Sequence, residues 1–211
     1  MKFLNILFIM FNRLLSMKQG ENNIVNVDKN VNLKYSIKGS NNKVQIFSGE
    51  GKKINITLKI KGNNNCVTLK GFKKCKRLYI DIGNLAGCND VTIDIGKNFI
   101  CVDTTILAYQ NNVPISIGDD CLFSKGVLIR SGELPHRIFD TETGENLDNS
   151  TGIRIGNHVW IGENVYIMKK VQIQDDSIVG TASVVTRKFT EKNVAIAGNP
   201  AVICRKNISW K

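Results

Sequence analysis

Two histidines stand among the 211 residues of this chain, His136 and His158. Imidazole, with an ordinary pKa of about 6.5, takes up and returns a proton near neutrality, so each is a candidate general base. The six cysteines are Cys66, Cys75, Cys88, Cys101, Cys121 and Cys204; they form no CxxC pair, and no Cys/His group has zinc spacing. They read as free, mostly buried thiols in a reducing compartment, and no metal site is expected. No GxSxG run marks a nucleophilic serine.

These residues are positioned by a repeat. From Ile155, steps of six reach Ile161, Ile167, Ile173, Val179 and Val185. Two residues earlier runs a second row: Ile153, Val159, Val165, Val171, Ser177 and Ser183. Six residues turn an α-helix by about 600°, so no helical face survives such a period. Short apolar–x–apolar strands separated by turns do, and three sixes make one triangular coil that buries its inner rows by stacking on the next. Gly96, Gly118, Gly156, Gly162 and Gly180 each follow an inward apolar residue, where a corner needs positive φ or close backbone approach. Upstream, Ile117, Phe123 and Ile129, then Ile95, Cys101 and Leu107, with Thr105 two before the last, continue the register. The first third is looser. Asn-Asn-Lys-Val at 41–44, Asn-Asn-Cys-Val at 64–67 and Cys-Asn-Asp-Val at 88–91 suggest longer coils of the same solenoid.

The regular register breaks once. Ile129 to Ile155 is 26 residues, not a multiple of six, so a loop over about 131–152 is extruded from the coil, and His136 lies on it. Long loops on rigid scaffolds tend to carry function. The other reading of His136 is a solvent-facing loop histidine. His158 falls at an outward position close to a corner and reads as structural. Trp160 precedes inward Ile161 and so points out of the prism, as a surface for a cofactor, an acceptor or a neighbouring subunit. The expected organisation is an apolar N-terminal helix or cap over 1–20, irregular coils over 21–92, regular coils over 93–198 and a tail over 199–211.

Lys and Arg number 29 against 18 Asp and Glu, a net charge of +11. The basic residues are scattered, which suits either a solvated surface or an anionic partner such as a phosphorylated cofactor or an acidic glycan. Nucleic acid has only the charge in its favour, and no binding motif occurs. The apolar run from Met1 to Met17 is short for a membrane span and is interrupted by Asn5, Asn12 and Arg13. It is expected to pack on protein, with contact at a membrane surface as the alternative. No secretory cleavage site is seen, so a cytoplasmic location is expected, at most peripheral at the inner membrane.

The sixfold pattern, the extruded loop and Ala197-Gly198-Asn199-Pro200-Ala201 resemble the hexapeptide-repeat acyltransferases, and among them the bacterial capsule and polysialic-acid O-acetyltransferases. Three stretches carry the likeness: His136-Arg137-Ile138-Phe139 with Thr143-Gly144-Glu145, Ile155-Gly156-Asn157-His158-Val159-Trp160-Ile161-Gly162, and Val194-Ala195-Ile196-Ala197-Gly198-Asn199-Pro200-Ala201. The likeness covers Val91 to Lys211 well and the earlier coils, with Gly39–Val44 and Gly62–Val67, loosely.

The resemblance implies an all-β, left-handed parallel β-helix, a homotrimer with sites at subunit interfaces, and acetyl-CoA as co-substrate. It implies that His136 is the catalytic base and that Trp160 lies at the active site. In such proteins an acid usually stands two before the histidine; here Glu133 stands three before, and Glu133 or Asp140 is the candidate orienting partner. The terminal motif commonly continues with Lys, whereas Val202 follows Ala201, which shifts that phosphate contact to Arg205 or Lys206. Acetyl-CoA is expected against Trp160 and the small residues Gly162, Gly180, Ala182, Ala197 and Gly198, with Arg187, Lys188 and Arg205 meeting its phosphates. The implied function is acetyl transfer to a hydroxyl of a bacterial surface or capsular carbohydrate, sialic acid included. Other acceptors are an amino sugar nucleotide, a small sugar or an antibiotic; a non-enzymatic β-solenoid binding protein is the reading from another class. A hydratase of the γ-carbonic anhydrase type needs three histidine ligands per site, and this chain has two histidines in all.

Overall fold

The computed structural model describes residues 16–49, 53–83, 85–148 and 151–211. Most of the N-terminal apolar segment therefore lies outside the described residues. Strand follows strand around a three-sided solenoid whose sides are here called faces A, B and C. The first coils run β1 (Ser16–Gln19), β2 (Ile24–Val27), β3 (Val31–Lys38), β4 (Lys43–Ile46), β5 (Ile54–Lys61), β6 (Cys66–Leu69) and β7 (Phe72–Cys75). The middle coils run β8 (Leu78–Ile82), β9 (Thr92–Ile95), β10 (Phe99–Cys101), β11 (Thr104–Ala108), β12 (Pro114–Ile117), β13 (Leu122–Phe123) and β14 (Val127–Arg130). The last run β15 (Ile153–Ile155), β16 (Trp160–Ile161), β17 (Tyr166–Ile167), β18 (Gln172–Ile173), β19 (Ile178–Val179), β20 (Val184–Val185), β21 (Val194–Gly198) and β22 (Ala201–Lys206).

Face A stacks β1-β3-β5-β8-β11-β14-β17-β20, face B β2-β4-β6-β9-β12-β15-β18, and face C β7-β10-β13-β16-β19-β21-β22. All pairings are parallel except β21 with β22, a hairpin that closes the C-terminal end of face C. Residues 16–19, within the stretch expected as an N-terminal helix or cap, form the first strand of face A.

Both sixfold rows point inward as expected. Ile155, Ile161, Ile167, Ile173, Val179 and Val185 are no more than 2% exposed, and Ser177 and Ser183 of the companion row are fully buried. The two serines are tolerated there because each hydroxyl is bonded: Ser183 Oγ donates to the Gly180 carbonyl (2.7 Å) and Ser177 Oγ to that of Asp175 (3.2 Å). Phe72, Phe99 and Phe123 stack up the inside of face C with ring centroids 5.9 and 4.9 Å apart.

Two register assignments differ from the expectation. Ile106 pairs with Ile129 and is buried, while Leu107 and Thr105 turn outward, because the step from Cys101 to Ile106 is five residues where that from Phe123 to Ile129 is six. In the early coils Lys43 pairs with Cys66, but Cys66 pairs with Thr92, so the spacing there is 23 and then 26 residues rather than 23 and 24. What holds these unequal coils is an asparagine ladder. Asn42 Nδ2 donates to Asn23 Oδ1 (2.9 Å), and Asn65 Nδ2 to Asn42 Oδ1 (2.9 Å).

The corner glycines act by close approach rather than by positive φ. A Cβ on Gly118 would lie 2.6 Å from the backbone carbon of Gly156. Left-handed backbone falls two residues later, on Asn98, Asp120, His158 and Asp176, with φ between 51° and 57°. Asn and Asp tolerate this region because their short polar side chains bond locally. Here they bond along the stack, Asn98 Nδ2 to Asp120 Oδ1 at 3.0 Å and His158 Nδ1 to Asp176 Oδ1 at 2.9 Å. His158 thus occupies the corner position that other coils fill with Asn or Asp.

Candidate functional site

The segment between β14 and β15 leaves the solenoid at the corner between faces A and B. Its entry is braced. Leu134 N donates to the Tyr109 carbonyl (3.2 Å), and Arg130 Nε donates to the Gly132 carbonyl (3.1 Å). Arg130 also grips Glu133, with Nη2 2.8 Å from Oε2, and lies 5.6 Å from the centre of the Tyr109 ring. Behind this stands Asp81, 2% exposed, which accepts a bond from Tyr79 Oη (2.9 Å) and another from Tyr109. Burial, and then the charge of Asp81, push the Tyr109 phenol up to about 12. Burial and the bond to Asp81 hold Tyr79 well above the ordinary range. Both phenols therefore stay neutral donors at physiological pH.

His136 follows on this braced entry, its N–H donating to the Glu133 carbonyl (3.0 Å). Its side chain is exposed and has no hydrogen-bond partner among the described residues. The Glu133 carboxylate, expected to orient His136, is turned to Arg130 instead, since the guanidinium offers it two donors within 3.0 Å. Asp140 is also engaged elsewhere. Its Oδ1 accepts from Glu142 N, Thr143 N and Thr143 Oγ1 at 2.8–3.1 Å, and these bonds hold its carboxyl below the usual range. It shapes a turn within a small hairpin bridged by Phe139 and Asn146, which presents Ile138, Phe139 and Leu147 to solvent at about half exposure. The return leg is tied down by buried Asp148, ion-paired with Lys169.

Trp160 opens β16 on the outside of face C, 38% exposed, with Nε1 donating to Ser124 Oγ (3.3 Å). Trp210, which the sequence reading passed over, lies beside it with ring centres 6.1 Å apart. Trp210 also stacks on His158 at 4.1 Å and 10°, and its Nε1 donates to the His158 carbonyl (2.9 Å). Its only sequence signal was an aromatic in a basic tail, outside any repeat. Lys73, Asn98, Ile100, Asp120, Leu122, His158, Trp210 and Lys211 line a recess of about 510 Å³ on this face.

The small residues expected to face the cofactor do come together. Register places Gly162, Gly180 and Ala197 in successive coils at the end of face C next to Trp160. Gly198 N donates to Ser183 Oγ (3.1 Å) in the closing hairpin, and Ala182, with φ 58°, turns the adjoining C–A corner. The cations expected to meet phosphates are not gathered. Lys188 bridges to Gln172 on face B, Arg205 pairs with Ala195 on face C, and Arg187 is exposed beyond β20.

In a triangular prism the A–B corner lies opposite face C. Within one subunit, then, the loop bearing His136 emerges on the side away from Trp160. Among the described residues no group of three or more His, Cys, Asp or Glu could hold a metal ion, and no helix is long and apolar enough to cross a membrane.

Residues 152–187 match the family model for the bacterial transferase hexapeptide (six repeats). The polysialic acid O-acetyltransferase of Escherichia coli O1:K1 / APEC is 34% identical over 96 residues, 46% of this chain and 31% of that protein. The match to this curated relative thus spans about a third of the relative's length. Two solved structures align over nearly all of both chains. The polySia-specific acetyltransferase NeuO gives a TM-score of 0.62 at 25% identity, covering 87% of this chain and 90% of that one. The polysialic acid O-acetyltransferase OatWY gives 0.59 at 27% identity, covering 92% and 90%. With its repeat and its stacked coils, the chain has the β-helix fold of these acetyltransferases, and over residues 152–187 it carries the hexapeptide repeat of bacterial transferases.

Proposed function

We propose that the protein transfers acetyl from acetyl-CoA to a hydroxyl of a surface or capsular carbohydrate, an acidic glycan such as polysialic acid foremost. The observation that carries this reading is the one loop extruded from a rigid coil, braced at both ends and holding an exposed imidazole. The names of the relatives, polysialic acid O-acetyltransferases, agree with it. His136 takes the proton of the acceptor hydroxyl as that oxygen attacks the thioester carbonyl carbon. The tetrahedral oxyanion collapses, the carbon–sulfur bond breaks, and the imidazolium returns its proton to the departing CoA thiolate. Trp160 and the strip of Gly162, Gly180, Ala182, Ala197 and Gly198 leave room for a pantetheine arm to lie close to the backbone, and its phosphates are to be met by Arg187, Lys188 and Arg205.

The site of this reading is shared between subunits. The A–B corner and face C of one prism point apart, so the loop of one copy meets Trp160 of the next, and a cyclic trimer repeats that contact three times. The half-exposed Ile138, Phe139 and Leu147 of the hairpin suit such an interface. The enzyme works in the cytoplasm.

Incubation with labelled acetyl-CoA and a panel of acidic and neutral glycans tests the reading, with light scattering for assembly. Label in an alkali-labile ester of a glycan is the expected result. Transfer confined to an amino sugar nucleotide, a small sugar or an antibiotic would replace the acceptor. No transfer, and no cofactor binding by calorimetry, would leave a β-solenoid binding protein. A stable, active monomer would overturn the shared site.

A further inference from the structure

Beside the return leg of the His136 loop, face B gathers three cations; the acid next in their column, Asp94, is the register partner of Ser116 and is ion-paired with Lys70. Ser116, Arg154, Gln172 and Lys188 are register partners in four consecutive coils. Their backbones are spaced by the usual interstrand step of about 4.8 Å. Lys170 stands at the adjoining A–B corner, its backbone left-handed at φ 66°. With Pro114, Thr151 and Gly152 these residues line a recess of about 310 Å³ whose wall includes no Asp or Glu. Arg154, Lys170 and Lys188 pair with no carboxylate among the described residues.

We infer that this recess is a carboxylate-binding subsite for an acidic sugar unit of the acceptor, an inference that rests on the transferase reading for the origin of its ligand. A guanidinium offers a planar fork that matches a carboxylate with two parallel bonds, and lysines add point charge. Converging like charges repel one another until an anion is bound, which favours an anionic occupant. The neutral groups narrow its identity. Ser116, Thr151 and Gln172 offer hydroxyl and amide partners for ring hydroxyls, the mixture that a polyhydroxylated acid needs. The competing anion is a phosphate of acetyl-CoA. No aromatic side chain lines the recess to stack on an adenine, so the sugar acid is the better fit. Thr151 and Gly152 belong to the return leg of the loop, so a sugar held here lies against the segment that carries the base.

The test uses the full chain, wild type and an Arg154→Gln/Lys170→Asn variant, with polysialic acid oligomers and their carboxyl-reduced, neutral counterparts. Calorimetry measures glycan binding, and steady-state kinetics measure KM for glycan and for acetyl-CoA. Wild type is expected to bind the acid at least about tenfold tighter than the reduced form, with affinity falling as salt rises. The variant is expected to lose that preference while KM for acetyl-CoA stays within about twofold. A wild-type protein that binds both forms equally would overturn the subsite whether or not the variant folds. So would a variant with unchanged acid binding, or one whose KM for acetyl-CoA rises instead, which would assign the recess to cofactor phosphate. Acid binding that depends on these residues without any acetyl transfer would sink the transferase reading and keep the subsite. Transfer with unaltered acid binding in the variant would do the reverse.

Discussion

From Ile153 to Val185 successive coils repeat after 18 residues, and strands of each coil pair with the coils above and below. Between Ser131 and Gly152 the described residues are held by an antiparallel bridge, a turn built on Asp140, and polar ties that include Arg130–Glu133 at the entry and Lys169–Asp148 at the exit. Trp160 belongs to the first region and His136 to the second. The coil places its tryptophan by stacking, which an interior of fully buried Ile and Val rows makes stiff. The loop places its histidine by a few local bonds and leaves the imidazole free. On the proposed function, a surface that only has to hold a cofactor can be rigid, and a base that must meet an acceptor hydroxyl gains from a segment that can settle onto its substrates.

The largest test breaks the loop's side of this contrast. His136→Ala should lower turnover on the order of 10²–10⁴-fold, the usual worth of a general base, with little change in acetyl-CoA affinity. Retained turnover in a steady-state assay would move the chemistry off the loop.

Thiol reactivity probes the coil's side. Burial pushes Cys88 up to about 11 and Cys121 up to about 12, and both lie inside the prism. The sign is plain: a raised pKa keeps the thiol protonated, and hence unreactive, until pH climbs past it. Cys204 is exposed on β22. At pH 8 the buried pair should carry on the order of 10²–10³-fold less thiolate than an ordinary thiol and react with a disulfide reagent only on unfolding, while Cys204 reacts at once. Fast labelling of Cys121 in the native protein would mean that the coil opens.

A third test loosens the loop without touching its histidine. Asp148→Ala removes the buried acid that Lys169 holds, a loss of about 1–3 kcal/mol. Cleavage by trypsin after Arg137 should rise by about tenfold, because local opening sets the rate. An unchanged cleavage rate would show that the exit tie does not order the loop.

The two smallest effects separate the aromatic residues of face C. Trp160→Ala should raise KM for acetyl-CoA by about three- to tenfold, with a lesser effect on kcat, because it removes a contact surface and no proton acceptor. His158→Ala should change either constant by less than about twofold. Its cost should appear in stability, about 1 kcal/mol and hence about 2–4 °C in Tm for a chain of this length. That cost reflects the loss of the Asp176 bond and the Trp210 stack. If His158→Ala abolished activity while His136→Ala retained it, the two roles would be exchanged.

The inward rows, the outward Trp160 and the extruded loop were legible in the residues because a solenoid writes its geometry locally. A six-residue period in Ile and Val has one stacked solution, and a stretch that violates it must leave the coil. Coil length was less legible where the period is not six. Leu107 for Ile106, and the 26-residue step between Cys66 and Thr92, were misjudged because an apolar–x–apolar strand shifted by one residue still alternates. Local pattern gives no indication of which acid reaches which base. Glu133 reads equally well as a partner for His136 or for Arg130, and only the folded corner, with Tyr109 and Asp81 behind the guanidinium, assigns it to Arg130. Likewise Trp210 is 50 residues from Trp160 in the chain, and Arg154, Lys170 and Lys188 are spread over 34, so no spacing rule links them. Stacking brings the three cations together because each turn of the coil returns the chain to the same side one strand step higher, and the tail after β22 lays Trp210 on face C beside His158 and Trp160; both coincidences in space exist only once the prism has closed.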